Sequence, residues 1–233
     1  RLPVSDIETH SLIRAALTMN VSIKQLQDRM AGQKTKPTQE QLLAIDAHAG
    51  ESRRILDNAG VTDPIWLAVV GQHHDELPPC AAINDRPTGE KLTKILQVID
   101  RYSATMSPRG SRPGRESLHA VKAVIRSRGS VEHDEVGLDL MQNLGLFPPG
   151  TYVQLKRGDA AIVLRRGTKL NEPVVSSVLN KRGEPVLATR MFSTESPEFA
   201  VQSGLSGSSI KVRLNEVEML RHLSSSRLDL AVG

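Results

Sequence analysis

Apolar residues first recur at helical spacing. Leu12, Ala15, Ala16, Met19, Ile23 and Leu26 follow one another at three- and four-residue steps and predict one helix over residues 5–31. Residues 32–37 form a polar connector. Thr38, with Gln41 three residues on, has the form of a capping box and opens a helix expected to turn Leu42, Leu43 and Ile45 inward. Glu51–Ala59 continue it as far as Gly60. Asp63 followed by Pro64 starts the next helix, which carries Ile65, Leu67, Val69 and Val70 and ends at His73 and His74. The proline- and glycine-broken stretch 77–89 reads as loop. Helix resumes near Glu90 and runs through Leu92, Ile95, Leu96, Ile99 and Tyr102. A basic loop, Ser107–Arg115, a helix over Glu116–Arg128 and a last helix over Asp134–Leu144, closed by Gly145, complete the helical part.

Behind Pro148-Pro149-Gly150 the period changes. Tyr152–Leu155, Ala160–Arg165, Val174–Val178 and Val186–Met191 alternate as short strands between turns such as Arg157-Gly158-Asp159 and Arg182-Gly183-Glu184. Residues 193–209, rich in Ser and Gly, read as flexible. Ile210–Leu214 reads as a further strand, and 216–222 as a short packing helix. The expected fold class is mainly α: a helical domain over 1–147 and a small β-rich extension over 148–233. Val153, Leu155, Ile162 and Leu164 are expected to fold the extension back on the helices. No repeat is evident.

Composition narrows the picture. Hydrophobic residues make up 39% of the 233 and aromatics only 3%, so the core must be built from Leu, Ile, Val, Ala and Met. The formal charge of +4 is mild. It suits an anionic small ligand or an acidic partner, and without a dense basic stripe and interleaved aromatics it argues against nucleic acid. The single cysteine, Cys80, excludes an internal disulfide and fits a reducing cytoplasm. No run approaches the roughly 18 apolar residues of a membrane span. The chain opens at Arg1 with neither Met nor a signal-peptide pattern, and reads as a piece of a longer protein.

Four residues stand out chemically: His48, the pair His73-His74, and Asp100. Imidazole and carboxylate ligate Zn, Mn or Fe, and helical proteins hold such ions from inward side chains on several helices. On spacing alone this pattern is much less specific than Cys-x-x-Cys or His-Glu-x-x-His. A satisfied core histidine and an ion-paired Asp100 explain the same residues. The basic loop with Arg109, Arg112 and Arg115 has two readings as well, a solvated loop or a phosphate site for guanidinium groups.

Four segments in order resemble the HD-GYP family. They are HAGESRRILDNAGV from His48, QHHDE at 72–76, VIDRYSATMSPRGSR at 98–112, and LGLFPPGTYVQLKRGDAAIVLRRG at 144–167. The resemblance, from residue 11 to about 165, implies an HD-type helical bundle around a di- or trinuclear metal centre. It also implies hydrolysis of the bacterial second messenger cyclic di-GMP, with metals that supply a nucleophile and neutralise the phosphate. It makes His48, His73, His74 and Asp100 metal ligands and turns Arg109 and Arg112 toward a nucleotide.

The departures bear on that chemistry. The His-Asp dyad of the family falls at Met19 and Asn20. A thioether is a poor ligand for hard or borderline ions, and a neutral amide does not bridge two cations. The lysine expected after the dyad is replaced by Ile23, with Lys24 adjacent as a substitute ligand-binding residue. The Gly-Tyr-Pro motif is absent. Without a bridging carboxylate two cations repel at short range. The expectation is therefore a single Fe, Mn or Zn ion on His48, His73 and His74, with Asp100 reduced to a supporting role. The domain reads as catalytically impaired, binding cyclic di-GMP or a signalling protein such as a diguanylate cyclase domain. An active phosphodiesterase with an unusual metal set, and an interaction module that binds no nucleotide, are the competing readings.

Overall fold

A computed structural model of the chain describes residues 2–78, 82–106, 134–186, 190–212 and 217. The basic loop and the helix expected over 107–128, the end of the strand expected over 210–214 and all but residue 217 of the short helix expected over 216–222 lie outside these residues; the described residues 210–212 form no strand. The described residues fall into two compact units, one reaching Met106 and including Asp134–Asp139, the other beginning at Leu140. The boundary was expected at residue 147.

In the first unit, α1 (Asp6–Thr18) begins with a capping box between Ser5 and Glu8. It stops at Met19, so the single helix expected over 5–31 is broken. Ser22 supplies the reason. Its amide N–H donates to Ser52 Oγ at 3.2 Å and its hydroxyl donates to the His48 carbonyl at 3.0 Å, which holds the 19–23 turn against the third helix. The second piece, α2 (Lys24–Ala31), buries no residue.

The Thr38–Gln41 capping box opens α3 (Gln39–Asn58) as expected. Leu42 and Leu43, expected inward, are 48% and 61% exposed; the buried positions of α3 are His48, Ala49, Ser52 and Leu56. Asp63 caps α4 (Pro64–Gln72), accepting the N–H groups of Ile65 at 3.0 Å and Trp66 at 3.1 Å. This nearly all-apolar helix packs against α1, α3 and α5. A short 3₁₀ turn at Ile83–Asp85 leads into α5 (Thr88–Met106), which buries Leu92, Thr93, Ile95, Leu96 and Val98. Asp134 starts α6 (Glu135–Leu144), whose residues to Asp139 belong to this unit and the rest to the second, by accepting the amides of Val136 and Gly137, and Lys94 on α5 ion-pairs with it at 2.6 Å. At Gly145 the φ of +79° ends α6, a conformation that favours glycine.

The second unit is built on five antiparallel strands in the order β4-β3-β2-β1-β5: β1 (Tyr152–Leu155), β2 (Ala160–Arg165), β3 (Val174–Leu179), β4 (Met191–Ser193) and β5 (Val201–Leu205). Val153 lies opposite Ala161, and Tyr152 opposite Ile162. The two faces therefore carry separate clusters. Phe147, Val153, Leu155, Ala161, Val163 and Val175 form one; Ala160, Ile162, Leu164 and Val178 form the other. Val153 and Leu155 thus do not share a face with Ile162 and Leu164. Leu146, Phe192 and Phe199 pack against the first cluster, and Tyr152, Met191, Leu205 and Ile210 against the second.

These facts correct the expected fold class. The described residues are not an HD-type helical bundle with a small β-rich appendix. They combine six α-helices with a five-stranded antiparallel sheet that owns a two-sided core. Two misreadings account for this. One counted α2 and the first turns of α3 as packed helix. The other assigned 193–209 to flexible chain, whereas 201–205 is β5, paired with β1.

Candidate metal centre

Three histidines meet at the junction of two helices. His48 lies in the middle of α3 on its buried side. His73 is the residue at which α4 ends, and His74 follows in the turn. The loosening of the chain at the end of α4 lets both adjacent histidines approach His48. Their rings pack closely, with centroids 4.9 Å apart for His48 and His73, 4.8 Å for His48 and His74, and 4.2 Å for His73 and His74. One ligand nitrogen from each lies within 4.8 Å of the others. His48 and His73 are buried, while His74 is exposed.

Hydrogen bonds fix the tautomers of the buried pair. His48 Nδ1 pairs with the carbonyl of Ile45, and His73 Nδ1 with that of Val70 at 2.7 Å. A carbonyl only accepts, so each Nδ1 carries the proton. Each neutral ring then presents a bare lone pair at Nε2. Those two Nε2 atoms face each other at 3.0 Å. Two lone pairs at that distance repel unless a cation lies beside both. A proton on His73 serves poorly. Burial, together with the neighbouring His74 and His48, pushes the His73 pKa down to about 4, against the opposing pull of the Val70 carbonyl and Asp100. Burial of part of its ring and the nearby His48 lower the pKa of His74 as well, against Asp100, Asp75 and Asp46.

A divalent ion resolves the conflict. With metal–nitrogen bonds of about 2.0–2.1 Å, two nitrogens on one ion sit roughly 3.0 Å apart at a right angle and roughly 3.4 Å apart at a tetrahedral one. The observed separation of 3.0 Å falls in that interval. Locking Nδ1 on a carbonyl is also the usual outer support of a ligating histidine. The cluster can therefore hold a metal ion, with an open side at His74.

The other predicted site residues are placed differently. Asp100 is half-buried on α5, and its charge acts on His73 and His74, but it is not among the three groups whose ligand atoms converge. Met19 ends α1 and Asn20 lies in the turn after it, two residues before the Ser22 that bonds to the His48 carbonyl. Lys24 is exposed and paired with Asp28 at 2.9 Å. Arg109 and Arg112 lie outside the described residues. Sequence reasoning missed the Ile45 and Val70 carbonyls and also Gln97, whose amide donates to the Asp75 carbonyl at 2.8 Å. The carbonyl three residues before each histidine was a readable signal, because positions three apart stand one above the other on a helix. Gln97 had no such signal.

Compared with protein-family models, with curated proteins and with solved structures, the chain matches none of them.

Proposed function

We propose that the chain is a degenerate relative of the HD-GYP domains of bacterial cyclic di-GMP signalling, with a five-stranded sheet where a small appendix was expected, that holds one divalent transition metal and binds rather than hydrolyses. The observation that carries the metal part is the pair of Nε2 lone pairs held 3.0 Å apart by carbonyl locks on the far side of each ring. Support for the family part is the ordered set of four sequence segments; the three histidines drawn from two of them are the residues that converge.

An Fe, Mn or Zn ion there supplies a Lewis acid for a phosphate oxygen. His48 and His73 hold the ion from the buried side, and His74 closes it from the exposed side. The negative field of Asp100 offsets part of its charge. Met19 and Asn20 offer no carboxylate with which to bridge a second ion, and two dications in contact repel strongly in a partly dry site. Arg109 and Arg112 would take the phosphates of the nucleotide. We place such a module in the cytoplasm, where cyclic di-GMP and a diguanylate cyclase domain are available as partners.

Metal analysis of the purified protein tests the reading first. One equivalent per chain, lost in His73→Ala, is expected. Calorimetry with cyclic di-GMP should show binding, and assays with added Mn or Fe should show no cleaved product. Two equivalents of metal together with hydrolysis lost in His73→Ala would establish an active phosphodiesterase instead. Metal without any heat from the nucleotide would leave only a metal-supported interaction module.

A further inference from the structure

The three histidines are not held alike. His48 and His73 each have a ring nitrogen pinned on a backbone carbonyl of their own helix, so their ligand atoms are fixed before any ion arrives. No hydrogen bond of the His74 ring is found among the described residues. His74 also lies beyond the end of α4, where helical geometry no longer orients it. Its turn is held by an Asp75 amide bond to the Gln72 carbonyl at 2.9 Å and, from α5, by the Gln97 bond at 2.8 Å to the Asp75 carbonyl. A carbonyl accepts, so Gln97 must present its NH₂ edge. Gln97 and Asp100 are three residues apart and so share one face of α5. Asp100 acts on His73 and His74 from that same face.

Resting on the metal reading above, we infer that Gln97 is a positioning residue: it clamps the turn that carries His74, and so sets whether the third imidazole closes on an ion already held by a preformed His48–His73 pair. The site is two locked ligands and one arm, and α5 holds the arm.

Cobalt(II) is the probe, because its visible bands report ligand number and type. Wild type, Gln97→Leu, His74→Ala and the double variant are titrated with cobalt. Far-UV circular dichroism and thermal unfolding of the metal-free proteins verify that each folds. Gln97→Leu is expected to weaken binding about 10- to 100-fold, as loss of an outer support does. Its bands should move toward those of His74→Ala, and the double variant should bind no worse than His74→Ala. If wild type takes up no cobalt, the metal reading itself fails. If wild type and Gln97→Leu agree in affinity and spectrum, the metal reading stands and the clamp is overturned. Additive losses in the double variant would also overturn it, because Gln97 would then act through something other than His74.

Discussion

At the scale of single residues the site is decided by which histidine atoms are already committed. The Nδ1 atoms of His48 and His73 are spent on carbonyls, so replacing either ring removes a preoriented ligand and relieves the lone-pair conflict that favours an ion. His48→Ala or His73→Ala should therefore weaken zinc binding by more than the roughly 10- to 100-fold that an outer partner is worth. Competition against a chromophoric chelator measures this. Asp134 is a second residue with an outsized role. It is buried, caps α6, and faces Lys94 at 2.6 Å and Arg101 at 3.7 Å. Asp134→Ala leaves two cations without their counter-charge and two amides without an acceptor. It should cost about 3 kcal/mol, read as a lower urea midpoint, with Asp134→Asn costing less because the cap survives. The three histidines were legible in the sequence as metal-ligand residue types placed on or at the end of helices, two of them adjacent. Asp100 had already been reduced to a supporting role, but one-dimensional spacing does not say how far a carboxylate on another helix stands from the rings. Lys24, read as facing a ligand, is turned instead to Asp28 one helical turn on, a local pairing that competes with any distant role.

At the scale of elements, what the sequence reveals depends on whether side chains or backbone set the structure. Caps were readable: Thr38 with Gln41, Asp63 with Pro64, and Gly145 each occupy the expected position, because each solves a local problem of unpaired amides or carbonyls. The break at 19–23 was not, because the partners that stop the helix, Ser52 and the His48 carbonyl, come from α3. Strand β5 was hidden for a related reason. Only Gly204 in it is buried, so it lacks an apolar alternation, and it is a strand by virtue of backbone pairing to β1. The link between β2 and β3 is similarly governed by backbone. A Cβ placed on Gly167 would stand 1.6 Å from the Glu172 carbonyl oxygen. Gly167→Ala must therefore move backbone rather than a side chain, and should destabilise the sheet by about 2–3 kcal/mol. Amide hydrogen exchange should register it first in β2 and β3, with α3 and α4 unaffected.

At the scale of the whole molecule, the described residues form two compact units, and the helical one can be followed by its own reporter. Trp66 is the only tryptophan of the chain and belongs to the helical unit, where its indole donates to Thr18 Oγ1 at 2.9 Å. Its fluorescence therefore follows that unit. No helix among the described residues is long and apolar enough to cross a membrane. Its N-terminal end is fastened by Glu8, which ion-pairs with Lys91 on α5 at 2.8 Å and accepts the Ser5 amide at 2.7 Å. The hydrogen bond from Lys91, then those from Ser5, hold the Glu8 pKa at about 2, against a small opposing effect of burial. An unfolded glutamate titrates near 4.3, so folding favours the ionised form. The stabilisation is complete above that value and is lost as the pH falls from there through about 2, because the unfolded chain then binds the proton first. Solvent screening of this partly accessible pair leaves an effect of roughly 1 kcal/mol, or about 4 °C in a unit of this size. Trp66-detected melting should accordingly fall by about half that, roughly 2 °C, more in wild type than in Glu8→Gln between pH 5 and pH 3, the rest of the loss lying below pH 3. Above pH 5, where wild type keeps the ion pair and the variant lacks it, Glu8→Gln should melt lower. Parallel losses in the two proteins over the whole acid range would show that the α1–α5 pair contributes nothing to the pH dependence of the helical core.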